Sequence, residues 1–319
     1  MRAVVTGGCG FIGSNLVDRL AGDGHEVTVI DDLSTGSMAN LEGALATGRV
    51  RLARLDVSGP GTEQAILDAR PEVVWHLAAQ IDVRRSVADP VADARVNVLG
   101  SIAVARAAAQ AGCRRLVFAG SGGTAYGEPD HARLPVDERA PAGATNPYGV
   151  AKRTVEDYLD SFRDLWGLEG VSLRLANVYG PRQSPHGEAG VVAIFCNRLL
   201  EGRTVTVYGD GRQTRDYVYV GDVVDAFVAA GGVPSEALGA TRINIGTGVE
   251  TSVLELYEAL RPLAAAAPEP AFAPPRAGEL QRVALDSALA ERAIGWRAEV
   301  NLDEGLERTW RWSSAQLGR

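Results

Sequence analysis

A glycine-rich turn near the first strand pattern places the strongest constraint on how this chain can fold. It spans residues 7–13, with the sequence Gly-Gly-Cys-Gly-Phe-Ile-Gly, and it follows a short apolar run at residues 2–6. A helical pattern of apolar residues continues to about residue 22, and residues 25–32 have the character of a second strand. Because a strand, a turn, a helix and a strand within about thirty residues form a βαβ unit, the sequence predicts a parallel sheet.

Short apolar segments then recur along the chain between longer helical patterns. The predicted strands are residues 50–55, 73–77, 116–119, 171–175 and 242–245, and the helical stretches include 91–111 and 148–166. This alternation predicts an α/β fold with a doubly wound parallel sheet. We expect residues 1–176 to form the sheet domain, with a strand from about 241–247 added to it. Residues 177–319, richer in glycine and proline, would mainly form a smaller α/β substrate domain over the carboxyl edge of the sheet.

The composition excludes several functional classes. The chain has 319 residues, 46% apolar and 23% charged, which is typical of a globular protein of about two domains. A net charge of −8 without any basic run argues against nucleic-acid binding. The apolar stretches fall short of the ~18 residues of a spanning helix, and no signal peptide precedes the first strand. Three widely separated cysteines predict neither a disulfide framework nor a metal site, so we expect a cytoplasmic protein.

The spacing of Gly7, Gly10 and Gly13 at the start of the predicted helix favours a dinucleotide-binding turn. The first glycines let the backbone approach a pyrophosphate at the helix N-terminus, and the third lets the helix pack closely on the strand. Asp31 closes the second predicted strand, where a carboxylate accepts a hydrogen bond from a ribose 2′-hydroxyl and repels a 2′-phosphate. The sequence therefore predicts NAD, rather than NADP, as the cofactor.

A tyrosine and a lysine four residues apart open the predicted helix at 148–166. Lys152 is the only lysine among 32 basic residues, and it lies one helical turn from Tyr148 on the same face. A free tyrosine is a poor base at neutral pH, because its pKa is about 10. A neighbouring ammonium and a positive nicotinamide ring would both favour the phenolate and lower that pKa. The pair therefore predicts a site of catalytic proton transfer.

Several motifs follow one another in the order found in a known enzyme family. They are the glycine turn, His76-Leu77-Ala78-Ala79, Asn97, residues 121–127, Tyr148 with Lys152, residues 177–181 and residues 215–217. In this the chain resembles the extended short-chain dehydrogenase/reductase family, from residue 1 to about residue 312. It is most similar to the NAD-dependent nucleotide-sugar epimerases, and among them to the UDP-glucose 4-epimerases. The resemblance implies a Rossmann-like sheet and an isomerase of carbohydrate metabolism.

The resemblance implies a redox-neutral inversion at C4 of a UDP-hexose, UDP-glucose or UDP-galactose. Tyr148 would take the proton of the 4-hydroxyl while hydride passes to NAD⁺, and the hydride would return to the opposite face of the 4-keto sugar. Lys152 would hold the nicotinamide ribose and lower the pKa of Tyr148. Gly122 stands at the family's usual hydroxyl position, so Thr124 or Ser121 must bind the 4-oxygen, and we expect Thr124.

Further binding residues follow from the family's motifs. Besides the three glycines, Asp31 and the catalytic pair, the implied cofactor contacts are Phe11, Ile12, Asp32, Asp56, Val57, Leu77, Ala78, Ala79 and Asn97. The implied contacts to the UDP-sugar are Gln80, Thr124, Asn177, Val192, Tyr208, Arg215, Tyr217, Arg276 and Glu279. Guanidinium groups suit diphosphate oxygens, and a carboxylate suits ribose hydroxyls.

The segment Gly123-Thr124-Ala125 argues against two neighbouring reactions. Related 4,6-dehydratases and UDP-glucuronate decarboxylases carry carboxylates there, and this chain has none. The alternatives left open are 4-epimerisation of UDP-glucuronate or another nucleotide sugar, with Arg182 as the candidate for a sugar carboxylate, and a net dehydrogenase. The Tyr148–Lys152 pair argues against a non-catalytic NAD-binding sensor. Val283 matches the position whose bulk limits the sugar 2-substituent, so its small size predicts that N-acetylated sugars are admitted.

The helical stretches at 91–111 and 148–166 carry more apolar residues than one face of a sheet needs. In the family the equivalent helices pair across a two-fold axis. Since isologous dimers are the commonest oligomers, we expect a homodimer. The UDP-sugar is then the other expected partner, with neither nucleic acid nor membrane.

Overall fold

The computed structural model describes residues 1–186, 190–238, 241–276 and 280–317. The strands are β1 Arg2–Thr6, β2 Glu26–Asp31, β3 Val50–Arg54, β4 Val73–His76, β5 Arg115–Ser121, β6 Glu169–Leu175, β7 Asn177–Tyr179, β8 Thr206–Tyr208, β9 Thr214–Arg215, β10 Tyr217–Tyr219, β11 Arg242–Ile245, β12 Thr251–Ser252 and β13 Ala271–Ala273. The α-helices are α1 Phe11–Gly22, α2 Glu42–Ala46, α3 Thr62–Ala69, α4 Val83–Ala88, α5 Pro90–Ala94, α6 Ser101–Gln110, α7 Gly122–Ala125, α8 Pro147–Trp166, α9 Val191–Leu200, α10 Val220–Gly232, α11 Val253–Leu260, α12 Ala288–Ile294 and α13 Leu302–Leu317.

Seven parallel strands form the central sheet in the order β11-β6-β5-β4-β1-β2-β3. Every strand predicted from the sequence lies in this sheet, with ends that differ by at most a few residues. The order reverses beside β1, so β2 and β3 extend to one side and β4, β5, β6 and β11 to the other. The predicted α/β fold with a doubly wound, Rossmann-like sheet is therefore confirmed.

Helices cover both faces of the sheet, which explains why its strands are nearly continuous apolar runs. On one face α1 packs against α10, and the Trp75 indole nitrogen of β4 donates to the Phe227 backbone oxygen at 2.8 Å. On the other face α3, α6 and α8 pack together, with Val155 and Leu159 of α8 buried against the sheet. These two apolar layers fix the strand ends where the site lies.

The helical stretch predicted at 91–111 is continuous but is not a single α-helix. It consists of α5, a π-helical segment at Arg95–Gly100 and α6. Asn97 lies in the π-helical segment and is 1% exposed. Wide turns of this type occur frequently at functional sites, and the apolar spacing of the sequence does not distinguish them from α-helix.

Helix α8 begins and ends at residues whose side chains or conformations favour those boundaries. The Asn146 side chain accepts a hydrogen bond from the Gly149 backbone nitrogen at 2.9 Å, Pro147 occupies the first turn, and Gly167 ends the helix with a φ of 69°. These are the usual start and stop signals of a helix, and they set the position of Tyr148 in its first turn.

A buried ion pair fixes α8 to the sheet two turns beyond Tyr148. Glu156 of α8 accepts from the Arg174 side chain of β6 at 3.0 and 2.6 Å and from the Ser172 hydroxyl at 2.8 Å. Arg174 also donates to the Tyr126 hydroxyl at 3.0 Å. Burial lowers the pKa of Arg174, but its bonds to Glu156 outweigh that effect and raise the pKa overall. The guanidinium is therefore a permanent buried cation that depends on Glu156.

Most strands after β6 lie outside the central sheet, in small pairings of β7 with β10, β8 with β13 and β9 with β12. They enclose a separate apolar cluster that includes Tyr179, Phe195 and Tyr257. Cys9, Cys113 and Cys196 are free and buried. Among the helices of the described residues, none is both long and apolar enough to span a bilayer.

Candidate active site

The glycine turn between β1 and α1 has no room for side chains at two of its glycines. A Cβ on Gly13 would lie 2.1 Å from the Gly7 carbonyl oxygen, and a Cβ on Gly7, whose φ is +70°, would lie 2.7 Å from the Ala78 backbone nitrogen. Gly10 precedes α1 and provides no capping side chain. The first backbone N–H groups of α1, from Phe11 and Ile12 onward, are therefore available to an anion such as a pyrophosphate.

Asp31 ends β2 directly beside this turn. Its carboxylate accepts from the Cys9 backbone nitrogen at 2.9 Å and from the Leu33 nitrogen at 2.8 Å, and burial raises its pKa despite these bonds. The exposed Asp32 and Asp56 instead accept from serine residues two positions later, in local turns. Val57, next to Asp56, is buried. Asp31 is thus the carboxylate that the fold holds at the glycine turn.

Asn97 holds the segment that follows β4, where Leu77, Ala78 and Ala79 were predicted to contact the cofactor. Its side-chain oxygen accepts from the Gln80 backbone nitrogen and its amide nitrogen donates to the Gln80 carbonyl, both at 2.9 Å. The same nitrogen donates to Asp93 at 2.9 Å. The Gln80 side chain donates to Asp93 and to the Asp82 carbonyl, also at 2.9 Å. The structure therefore places Gln80 in an internal network.

Lys152 lies at the carboxyl end of β5 and is 5% exposed. Its Nζ donates to the Ala119 carbonyl at 3.0 Å and lies 4.6 Å from the centroid of the Phe118 ring and 5.7 Å from that of Tyr148. Burial lowers the pKa of this lysine to about 8. The pair is thus assembled as the sequence predicted, with an ammonium whose charge is sensitive to its surroundings.

Burial raises the pKa of Tyr148 to about 12, although a hydrogen bond to Ser121 works in the other direction. Burial is the largest influence on this pKa, and the charge of Asp93 adds to it. The lowering of the Tyr148 pKa by Lys152 and the nicotinamide ring therefore stays a prediction for the protein with its cofactor bound.

Ser121 is the hydroxyl that acts to lower the pKa of Tyr148. It ends β5 and accepts a hydrogen bond from the Thr124 hydroxyl at 2.9 Å. The two candidate hydroxyls, Ser121 and Thr124, are therefore linked to each other, and which of them binds the 4-oxygen stays a prediction. A Cβ on Gly122 would lie 2.4 Å from a methyl carbon of Leu285. Leu285 thus occupies the space in which the family's usual hydroxyl would stand.

Most residues predicted to bind UDP lie on elements outside the central sheet. Asn177 and Tyr217 are register partners in β7 and β10, and Arg215 in β9 donates to the Thr214 carbonyl at 2.7 Å. The Arg276 guanidinium carbon lies 4.0 Å from the centroid of the Tyr208 ring, a cation–π contact. Val192 is buried in the apolar cluster, so its side chain faces the core. Glu279 lies outside the described residues.

A family model for the "NAD dependent epimerase/dehydratase family" matches residues 3–246. The chain belongs to this family. A UDP-glucose 4-epimerase of Mycolicibacterium smegmatis is 49% identical over 309 residues, which cover 97% of each chain.

Two solved structures of bacterial epimerases are similar to this chain. A UDP-glucose 4-epimerase of Thermotoga maritima, solved with UDP-glucose, has a TM-score of 0.93 and 40% identity and covers 99% of this chain and 100% of its own. A UDP-glucose 4-epimerase of Thermus thermophilus, solved with NAD, has a TM-score of 0.90 and 42% identity and covers 98% of this chain and 99% of its own. This family member is therefore an NAD-dependent epimerase-type enzyme by sequence and by fold.

Among the buried carboxylates that were not predicted from the sequence, two bond to segments of the site. Asp216, inside the motif at 215–217, is 1% exposed and accepts from the backbone nitrogens of Thr247, Gly248 and Leu285 at 2.9–3.1, 3.0 and 3.1 Å. It holds Leu285 against Gly122. Asp93 in α5 is the other. Its position after a proline in an apolar helix is the only signal in the sequence, and that signal is too weak to assign a role.

Proposed function

We propose that the protein is an NAD-dependent UDP-hexose 4-epimerase that interconverts UDP-glucose and UDP-galactose. The observation that carries this proposal is the position of Tyr148 one helical turn from the buried Lys152, whose Nζ lies 5.7 Å from the centroid of the Tyr148 ring, at the sheet edge that also holds the glycine turn. The 49% identity to a UDP-glucose 4-epimerase along almost the whole chain supports the same substrate class.

In this proposal Tyr148 takes the proton of the sugar 4-hydroxyl and later returns it. Ser121 binds the 4-oxygen, and Thr124 orients Ser121 through the bond between their hydroxyls. Bound NAD⁺ supplies a reversible hydride acceptor. A Cβ at Gly7 or Gly13 would clash with neighbouring backbone atoms, and no side chain caps the N-terminus of α1. The turn therefore fits such a dinucleotide. No net redox change results.

The nucleotide end of the substrate would be bound beyond the sheet edge. Arg215 and Arg276 carry the positive charge that suits a diphosphate, and the Tyr208 ring offers a face for stacking. Asn177, Tyr217, Val192 and Glu279 complete the predicted set, with Val192 contributing its backbone.

We also propose that residues 1–176, together with β11, form the NAD-binding unit and that residues 177–319 mainly form the nucleotide-sugar unit. The proposed compartment is the cytoplasm.

Purified protein without added NAD tests the proposed function. It is incubated separately with UDP-glucose, UDP-N-acetylglucosamine and UDP-glucuronate, and the anomeric proton signals are followed by NMR. A galacto signal from UDP-glucose, with no NADH released, is the expected result. If no new anomeric signal appears with any of the three sugars after NAD has been supplied, the proposal is overturned. Release of NADH in proportion to product would indicate a net dehydrogenase instead.

The glucuronate series remains the alternative substrate. Arg182, the candidate partner for a sugar carboxylate, donates to Asp18 at 2.6 Å through Nη2, while its buried Nη1 has no hydrogen-bond partner among the described residues. The 49% identity to a UDP-glucose 4-epimerase therefore ranks UDP-glucose first. The UDP-glucuronate arm of the experiment decides between the two.

Val283 offers a test of substrate selectivity. It is 4% exposed and lies two residues before Leu285, which packs on the Ser121–Thr124 segment. Val283→Tyr is expected to lower kcat/KM for UDP-N-acetylglucosamine by about 10-fold or more while that for UDP-glucose changes little, since added bulk excludes a 2-substituent first. The exposed Val249→Tyr is the matched control. An equal loss with both sugars would contradict this reading of the pocket.

We also propose that the protein is a homodimer. The helices at 83–110 and 147–166 leave several large apolar side chains exposed, namely Val87, Val91, Leu99, Val150, Leu165 and Trp166. A second copy of the chain would cover them. Leu165→Glu, at a residue 67% exposed, is expected to give a monomer in light scattering after size exclusion, whereas Val249→Glu, at a residue 61% exposed elsewhere, leaves the dimer. A wild-type monomer at micromolar concentration would rule the dimer out.

A further inference from the structure

Asp93 is a buried carboxylate for which the proposed reaction has no role. It lies in α5 and is 1% exposed. One carboxylate oxygen, Oδ1, accepts from the Gln80 and Asn97 side-chain amides, both at 2.9 Å. The other, Oδ2, is buried and has no hydrogen-bond partner among the described residues. Half of this carboxylate is therefore held in a network and half is left without compensation.

Burying such a carboxylate lowers the stability of the fold. A buried charge needs a partner of opposite sign or a full set of hydrogen bonds, and an uncompensated carboxylate oxygen destabilises the fold. Its neighbours indicate what balances it. Helix α5 packs against α8, which carries Tyr148 and Lys152. The negative charge of Asp93 acts on both groups, raising the pKa of the Lys152 ammonium and that of the Tyr148 hydroxyl.

We propose that Asp93 is a positioning residue of the catalytic pair, which keeps the buried Lys152 side chain charged while its other oxygen holds Gln80 and Asn97 in place at the end of β4. This inference rests on the proposed epimerase function, because it assigns Lys152 a role only as an ammonium. It adds to that function a counter-charge that lies outside the Tyr148–Lys152 motif.

The groups around Lys152 support this assignment. Burial is the largest influence on its pKa and lowers it, and Asp93 opposes that effect. His76 of β4 bonds to the Thr6 and Ser101 hydroxyls through its two ring nitrogens. Burial and the Lys152 charge lower the pKa of His76 to about 3, so it is neutral. Tyr148 is neutral with its raised pKa, and Ala119 and Phe118 of β5 contribute a carbonyl and a ring. Asp93 is thus the carboxylate that acts on Lys152.

The chain itself makes a direct test possible. Lys152 is the only lysine, so protein labelled with ¹³C,¹⁵N-lysine gives one lysine side-chain signal that needs no assignment. The holoenzyme is titrated without substrate, in the wild type and in Asp93→Asn, which keeps an acceptor for Gln80 and Asn97 but removes the charge. The expected result is a Lys152 pKa lower by about one unit in the variant, as for the loss of a nearby opposite charge.

Asp89→Asn is the matched control. Asp89 precedes α5, is exposed, and caps the helix by accepting from the Ala92 nitrogen at 2.9 Å, which asparagine can also do. This variant removes the same charge and should leave the lysine titration unchanged. An unchanged titration in Asp93→Asn as well would overturn the inference. The titration needs no sugar, so this failure is distinct from a failure of the epimerase proposal.

A second variant covers the case in which Asp93→Asn does not fold. Asp93→Glu keeps the charge but displaces the carboxylate, so the Lys152 pKa should stay close to that of the wild type even if kcat falls. A pKa lower by about one unit in this variant would show that packing, not charge, matters, and would also overturn the inference. With an active sugar in hand, the kcat/KM profile of Asp93→Asn should shift to lower pH on both limbs, because both pKa values of the pair fall.

Discussion

Replacing Tyr148 with phenylalanine is expected to lower kcat for the conversion of UDP-glucose by about 10²–10⁴-fold, which is the usual contribution of a positioned acid–base group. The ring of Tyr148 would keep its packing beside Lys152, and only the hydroxyl would be lost. KM should change little, because the proposed nucleotide contacts lie on other elements. The appearance of the galacto anomeric signal over time measures the effect.

A matched control is available on the same helix. Tyr158 is 42% exposed, and Tyr158→Phe removes an equivalent hydroxyl ten residues further along α8. It should retain wild-type activity. Both variants should keep bound NAD and an unchanged far-UV spectrum. A Tyr148→Phe enzyme within a factor of about three of the wild type would remove Tyr148 from the role of base, since that loss is far below the acid–base range.

Removing the Glu156 carboxylate is expected to lower the free energy of unfolding by about 3–5 kcal/mol, which is the cost of breaking a buried ion pair by deleting one partner. Glu156→Ala leaves the Arg174 guanidinium buried, with the Tyr126 hydroxyl as its described side-chain contact at 3.0 Å. Because Arg242 also donates to Glu156 at 3.2 Å, the loss reaches the edge strand β11. Urea unfolding followed by circular dichroism measures the change.

The double variant Glu156→Met with Arg174→Met tests whether the loss of stability comes from leaving one buried charge without a partner. Removing both charges should cost less than the sum of the two single changes, since no charge is left without a partner. The exposed pair of Glu304 and Arg308 in α13 is the control, and Glu304→Ala should cost about 0.5 kcal/mol or less. A Glu156→Ala variant as stable as Glu304→Ala would show that Arg174 finds other partners.

Much of the fold follows from local patterns in the sequence. Parallel strands buried on both faces are mostly apolar, so the strands of the central sheet can be recognised between polar turns. Asn146, Pro147 and Gly167 likewise mark the ends of α8. The π-helical segment around Asn97 could not be predicted, because the extra residue in its turn is stabilised by side-chain bonds to Gln80 rather than by an apolar pattern.

Some features of the site likewise depend on residues close together in the sequence, and others on residues far apart. The Tyr148–Lys152 pair and the glycine turn depend on spacing within one element, so the sequence predicts them. The glycine at position 122 depends on Leu285, more than 160 residues later, which fills the space where a side chain would stand. The raised pKa of Tyr148 and the burial of Asp93 depend on packing between helices, which no motif records.

The burial of the three cysteines has a consequence for how the protein tolerates oxidants. Burial raises the thiol pKa to about 12 for Cys9 and Cys196 and to about 11 for Cys113. Only the thiolate reacts with peroxide or alkylating agents, so at neutral pH these side chains are almost inert. Cys9 is part of the glycine turn, where a sulfenic acid or a glutathione adduct would block the cofactor. The fold thus protects that turn from peroxide and from thiol-directed inhibitors.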